Sequence, residues 1–198
     1  MKKLMIIAIM MVAAVSAKAQ NEAGKASIKP MAGINLATMT KTNDSKMRLG
    51  LAAGLEFEYG VTDNFGISAG VLYSMQGVKG KEYWLGSNAK ADITYKFDYI
   101  NVPILANYYI VKGLAIKAGV QPGFNVKKKV AVEVAGVKDD ATVDDVKGFA
   151  LSIPMGLSYE FSNVVLDARY NLGVTKAIKD IDSKHSYFTI TLGYRIPF

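Results

Sequence analysis

The sequence predicts an all-β fold: an eight-stranded antiparallel up-and-down transmembrane β-barrel, preceded by a cleaved signal peptide. Three observations carry this expectation. Apolar residues recur at every second position almost throughout the chain beyond its leader, with no sustained helical period. The polar connections between these segments alternate long and short, and the aromatic residues gather at segment ends rather than in their middles.

The leader comes first. Lys2 and Lys3 precede an unbroken apolar run of 12 residues, Leu4 to Val15, followed by Ser16 and by Ala17-Lys18-Ala19. A basic start, a short apolar stretch and small residues at −3 and −1 match a secretory signal peptide cut after Ala19. As a helix the run would reach about 18 Å, short of the roughly 30 Å hydrocarbon core, so it does not read as a retained anchor. The chain therefore divides into residues 1–19, the signal peptide, and 20–198, the barrel domain. The formal net charge of +7 falls to +4 once Lys2, Lys3 and Lys18 leave with the leader. The remaining bases are interleaved with acids, which is not a nucleic-acid surface. With no cysteine, a disulfide scaffold, a Cys-ligated metal centre and an N-terminal lipid anchor are excluded. The 51% apolar content excludes a disordered chain. No later run approaches 18 apolar residues, which leaves either a closed membrane barrel or a soluble exported protein.

Eight strands follow in order, near 27–38, 47–60, 64–76, 91–110, 114–127, 147–161, 164–174 and 186–198. The last is the clearest: Phe188, Ile190, Leu192, Tyr194, Ile196 and Phe198 fall on one face, with Thr189, Thr191, Gly193 and Arg195 on the other. The segment before it opposes Val164, Leu166, Ala168, Tyr170 and Leu172 to Asp167, Arg169, Asn171 and Gly173. Short turns are expected at Val61-Thr62-Asp63, Val111-Lys112-Gly113 and Ser162-Asn163, and long loops at 39–46, 77–90, 128–146 and 175–185. Both chain ends then fall on the short-turn, periplasmic side. The alternation slips phase near Asp98 and Tyr99, which predicts a β-bulge there. Pro103, Pro122 and Pro154 lie inside strands and read as bulge or kink sites.

A soluble ligand-binding barrel would also show eight alternating strands. The membrane reading rests on which face is apolar in mid-strand and on two aromatic girdles: Phe57, Tyr59, Phe65, Tyr108, Tyr159, Phe161, Tyr194 and Phe198 at the periplasmic end, and Tyr73, Tyr95, Phe97, Phe124, Phe149, Tyr170 and Phe188 at the outer end. Tyr194 and the terminal Phe198 are in phase with the apolar face, an ending that outer-membrane barrels commonly present to their assembly machinery.

The opposite face places Lys29, Arg48, Lys96, Lys117, Arg169 and Arg195 in the lumen with Glu56, Glu58, Asp98, Glu160 and Asp167. An eight-stranded barrel is just wide enough for side chains, so these groups are expected to form a plug of ion pairs, with a narrow or gated pore as the alternative. Enzymatic signals are thin. His185 and Ser186 are adjacent, but neighbours on a strand point to opposite faces and no orienting carboxylate is specified, so no catalytic residue is assigned. Asp139, Asp140, Asp144 and Asp145 lack the spacing of a Ca²⁺ loop and read as a solvated segment; no metal or cofactor is implied. Lys127, Lys128 and Lys129, with Arg48, Lys147 and Lys176, form a basic rim suited to lipid A phosphates, and Tyr83-Trp84 is an exposed aromatic pair suited to a partner or to the interface.

At five segments the sequence resembles the PorT-like family of small outer-membrane β-barrel proteins. They are Gly66-Ile67-Ser68-Ala69-Gly70-Val71-Leu72-Tyr73-Ser74, Tyr99-Ile100-Asn101-Val102-Pro103-Ile104-Leu105, Lys117-Ala118-Gly119-Val120-Gln121-Pro122-Gly123, Asp167-Ala168-Arg169-Tyr170-Asn171-Leu172-Gly173 and Leu192-Gly193-Tyr194-Arg195-Ile196-Pro197-Phe198. Asn101 stands where the family often carries a glutamate. The resemblance spans about 27–198 and implies an outer-membrane barrel; the family's namesake assists a protein-secretion system. The expected partners are outer-membrane lipid, lipopolysaccharide, the barrel-assembly machinery and proteins met through the loops.

Overall fold

A computed structural model describes residues 23–39, 46–84, 90–134, 137–142, 148–175 and 185–198. The expected leader, 1–19, lies outside them. The strands are β1 (Ala26–Met39), β2 (Lys46–Thr62), β3 (Phe65–Trp84), β4 (Lys90–Asn101), β5 (Ile104–Val111), β6 (Leu114–Val134), β7 (Val137–Thr142), β8 (Phe149–Phe161), β9 (Val164–Gly173), β10 (His185–Tyr194) and β11 (Ile196–Pro197). All pairings are antiparallel, and β1 pairs both β2 and β10, so the sheet closes on itself. The ring has eight members, because β4 and β5 are one strand interrupted at Val102-Pro103, β10 and β11 are one strand interrupted at Arg195, and β7 is a short extension paired to β6.

Closure removes every edge within the ring, and the alternation then decides what faces where. Outward positions of β2 are Leu49, Leu51, Leu55, Phe57 and Tyr59, all exposed, while Gly50, Ala52, Glu56 and Glu58 between them are buried. Along β5, β8 and β9 the same alternation holds, with Ile104, Tyr108, Met155, Leu157, Leu166 and Leu172 outside. The molecule is therefore inside-out relative to a protein folded in water. A cluster of charges that includes Glu56, Lys117, Asp167 and Arg169 is inside, and a belt of large apolar side chains encircles it, far beyond the patch size that soluble monomers expose. Aromatics bound the belt. At the end carrying the short turns, Phe57, Tyr59, Tyr108, Phe161, Tyr194 and Phe198 are exposed, and the Phe57 and Phe198 rings meet at 6.0 Å. At the other end the Phe124 and Phe149 rings lie 5.8 Å apart and those of Tyr170 and Phe188 4.8 Å apart.

The turn after β8 shows how local chemistry sets the ring. Ser162 and Asn163 both adopt positive φ, 47° and 71°, and two consecutive positive-φ residues make the tight hairpin whose twist matches its strands. Asn163 then ties the last strand: its carbonyl accepts from Arg195 N–H at 2.7 Å, and its side-chain amide donates to the Arg195 carbonyl at 3.0 Å.

Three expectations are corrected. The spans 77–90 and 128–146 are not simply loops: β3 and β4 continue as a hairpin to Trp84 and Lys90, and β6 runs to Val134 and pairs β7. The register slip at Asp98 and Tyr99 is present, but the extra residue is Val126 on the facing strand, because Asp98 pairs Lys127 while Tyr99 pairs Asn125. The phase of β4 is therefore unbroken against β3, and Phe97 and Tyr99 both turn inward. Phe97 is no girdle residue; it packs with Val78 and Tyr99, and Tyr95 rests against the same cluster. Finally, the three prolines interrupt hydrogen bonds without shifting register. The pairing of β3 and β6 on the far side of Pro103 continues that on the near side, with the Gly70 and Val102 N–H groups donating to the Pro103 and Pro122 carbonyls.

Leu51, 61% exposed and near the middle of the belt, provides the test. Leu51→Arg is expected to destabilise the barrel by about 2–4 kcal/mol in urea titrations performed in phospholipid vesicles, whereas an exposed site on a protein in water would shift by only about 0.5 kcal/mol.

Candidate functional site: the lumenal charge network

The inward positions stack in layers along the barrel axis. At the short-turn end, Arg195 is the centre. Its guanidinium lies 2.7 Å from Glu160 Oε2 and 3.4 Å from Glu58 Oε2, and it donates to the Tyr109 hydroxyl at 2.7 Å and to Ser27 Oγ at 3.2 Å. Tyr109 in turn donates to Glu58 Oε1. Arg195 sits at the break between β10 and β11.

The next layer holds two carboxylates among three cations. Glu56 accepts from Lys29 at 2.7 Å, from Lys117 at 3.1 Å and from the Arg169 guanidinium. Asp167 takes the other face of Arg169, with Lys117 at 3.2 Å and Lys29 at 3.7 Å. All five side chains are no more than 4% exposed. They come from β1, β2, β6 and β9, so the cluster ties together strands on opposite walls. Small residues make the space: a Cβ at Gly193 would lie 2.9 Å from Lys29 Cγ. Taken together, Lys29, Lys117, Arg169 and Arg195 face Glu56, Glu58, Glu160 and Asp167, four charges of each sign. The surplus cation of the middle layer is matched by the surplus carboxylate beside Arg195.

Above the charges lies a layer of amides and hydroxyls. Asn35 donates to Ser74 Oγ at 2.8 Å and accepts from Thr189 at 2.8 Å, and Asn171 donates to Thr189 at 3.0 Å. Higher still, the Tyr187 hydroxyl accepts from Gln121 at 2.6 Å and from Asn101 at 3.2 Å. A residual space of about 10 Å³ remains beside them, close to the volume of one water. The buried cluster of Val78, Phe97 and Tyr99 follows at the hairpin end.

The structure brings nine of the eleven expected lumenal charges to inward positions, eight of them buried and Arg195 partly exposed, but Arg48 stands apart from the rest. It donates to the Gln76 carbonyl and lies 3.9 Å from Asp98. Asp98 and Lys96 depart from the expectation. With Phe97 and Tyr99 turned inward, their neighbours take the outer face, and Asp98 is held there by the Tyr73 hydroxyl at 2.8 Å and by Lys127 at 3.7 Å. Lys96 is half-buried on that same face, opposite Lys129. Sequence reasoning missed Tyr109 and Tyr187, aromatics that share the parity of Asn107 and Thr189 and would have been found by extending the lumenal alternation through them. His185 begins β10, and Ser186 beside it is buried; the side chain of His185 and residues Asp144 and Asp145 lie outside what is described, as do Lys147 and Lys176.

Known proteins add the following. A family model described as "Outer membrane protein beta-barrel domain" matches residues 18–179. Among solved structures, Ail, the attachment invasion locus protein of Yersinia pestis, in complex with the heparin analogue sucrose octasulfate, is 16% identical, with 88% of this chain and 99% of that chain covered and a TM-score of 0.50. Neisserial surface protein A is 15% identical, over 87% of this chain and 97% of that one, with a TM-score of 0.46. At such identities the likeness to Ail concerns the fold. No curated protein sequence matches the chain.

Removing one partner from a buried ion cluster leaves the others uncompensated. Glu56→Gln is expected to lower stability by about 3–5 kcal/mol in urea unfolding monitored by the heat-dependent gel shift. Glu56→Gln combined with Lys117→Met, which restores charge balance, should recover part of that loss.

Proposed function

Because the chain belongs to the outer membrane protein β-barrel domain family, we propose that it is a non-enzymatic integral protein of the outer membrane, exported by a cleaved signal peptide, whose barrel is a closed scaffold for interactions at its two rims. The observation that carries this reading is the matching of four cations to four carboxylates across a lumen only wide enough for side chains. A conducting path needs groups that bind a passing ion weakly; here each charge is already engaged by a fixed counter-charge, and Val78, Phe97 and Tyr99 stand in series with them.

In this reading the short turns and both ends of the barrel strand set face the periplasm, and the β3–β4 and β6–β7 hairpins face outward. Tyr194 and the exposed Phe198 would be offered to the assembly machinery, with Phe198 N–H bonded to the Ala26 carbonyl at 2.9 Å. The finer PorT-like placement is supported by the five sequence segments that resemble that family. Protein partners would be met through the outer hairpins, which carry the Tyr83-Trp84 pair.

Planar-bilayer recordings of the pure refolded chain are expected to show no steady unitary conductance. A reproducible steady conductance would overturn the closed-lumen reading in favour of a narrow pore. Membrane fractionation tests the location, and recovery in the soluble periplasmic fraction would reinstate a soluble ligand-binding barrel.

A further inference from the structure

The apolar belt is recessed where the ring closes. The outward positions of β1 between Ile28 and Ile34 are Pro30 and Ala32, and Ala32 pairs Ala53 on β2 and Leu192 on β10. With small side chains on β1 and β2, a groove of about 600 Å³ opens on the outer face, lined by Pro30, Ala32, Ala53, Val164, Leu192 and Tyr194. Large residues bound it. The next row toward the middle of the belt is Ile190, Ile34 and Leu51, all exposed, and Tyr194 of the short-turn girdle stands at the other end.

The ladder is broken at the same height. β1 pairs β11 at Ser27–Pro197 and Ile28–Ile196 and pairs β10 from Met31–Gly193 onward, with the register unchanged across the gap, which sets Pro30 opposite Tyr194. Successive residues of a strand between two neighbours turn their N–H and C=O groups to one side and then the other. Phe198 N–H donates to the Ala26 carbonyl on β1, whereas Arg195 N–H donates to the Asn163 carbonyl beside β9. Even-numbered positions of the last strand therefore face β1, and the Tyr194 carbonyl is among them. The donor due to meet it is the N–H of residue 30, which proline lacks. A backbone acceptor without its donor is costly on a wall that water does not reach.

We infer that this groove binds one acyl chain of a lipid in the periplasm-facing leaflet, with the tail over Ala32 and Ala53 and a hydroxyl near the head-group end of the chain donating to the Tyr194 carbonyl. The inference rests on the outer-membrane reading above. The groove is continuous with the belt that meets lipid, so a lipid chain is the neighbour already in place. From β10 to β2 is two strand spacings, about 9.6 Å, and the side chains on either side leave the width of a single extended chain. Girdle aromatics lie at head-group level, which puts the Tyr194 carbonyl beside the first carbons of that chain. A second copy of the barrel would bring a convex wall whose ladder N–H groups are already paired, which neither fills the recess nor supplies the donor.

The test uses the full mature chain refolded in detergent and titrated, under native mass spectrometry, with phosphatidylethanolamine carrying either 3-hydroxymyristoyl or plain myristoyl chains. Failure to insert into phospholipid vesicles, seen as no heat-dependent gel shift, would overturn the membrane reading itself. With protein that inserts, one lipid should remain bound per chain, and the hydroxylated form should bind about fivefold more tightly, the worth of one hydrogen bond. Filling the groove with Ala32→Leu/Ala53→Leu should weaken both lipids by about tenfold. Ala106→Leu/Ala118→Leu adds equal bulk to an exposed alanine pair on β5 and β6 and should bind as the parent does. Pro30→Ala returns an N–H to the Tyr194 carbonyl and should abolish the preference for the hydroxylated chain while the chain itself still binds. The absence of saturable binding, a filled variant that inserts and binds like the parent, or a hydroxyl preference that survives Pro30→Ala would each overturn the inference. So would a dimer that the filled variant no longer forms, since a second copy would then occupy the groove.

Discussion

The constraint on which the barrel depends is the pairing of Glu56 and Asp167 with Lys29, Lys117 and Arg169 in its middle. In lipid the outer surface offers little to choose one arrangement of strands over another, since acyl chains solvate Leu, Ile and Val equally well on any of them. Specificity has to come from inside. A buried charge without its partner costs several kcal/mol, so a shift of register that moved any of these strands by one residue would carry its charge to the lipid face and leave its partners uncompensated. The central cluster acts in this way as a register key for β1, β2, β6 and β9 together.

Everything around the cluster makes room for it or closes it off. The lumenal faces carry glycine and alanine where the long Lys and Arg side chains cross, as at Gly193 against Lys29. Neutral polar groups fill the next level, where Asn35, Thr189 and Asn171 form a hydrogen-bonded chain across the neighbouring strands β1, β10 and β9. Apolar side chains come last, at the level of Phe97 and Tyr99. The interior thus passes from the main charge cluster at the short-turn end to an apolar cluster at the hairpin end, where Arg48 and Gln76 are the buried polar groups beside it.

Most of the ring was legible from alternation alone, because a residue's parity within a strand fixes its face. The strands containing Asp167, Arg169 and Arg195 could be assigned in this way, and four of the inward acids and five of the inward bases follow from it. Legibility ended where the strand twist or register was reset. Tyr95 and Phe97 are large and apolar, so sequence places them toward lipid; the structure turns Phe97 inward, because the phase of β4 is set by its pairing with β3 and the extra residue sits on β6 at Val126. Lys96 and Asp98 were exchanged to the outer face by the same step. Hairpin extensions were illegible for a different reason: β7 reads Val-Lys-Asp-Asp-Ala-Thr, a polar composition indistinguishable from a loop until its ladder to β6 is known. Which charge meets which lay beyond the reach of parity, since contacts such as Glu56 with Arg169 join residues on opposite walls.

The closure of the ring between β1 and β10 has a consequence for biogenesis. Met31 pairs with Gly193 and Met39 with His185, so the first strand of the ring finds one of its two neighbours only in the last strand of the ring. Such non-local pairing makes folding slow, since the loop closed is nearly the whole domain. Until the final strand arrives, two open sheet edges and a half-formed ion cluster face the solvent together. Closing the ring is therefore the step in which the edges disappear and the charges are sealed at once.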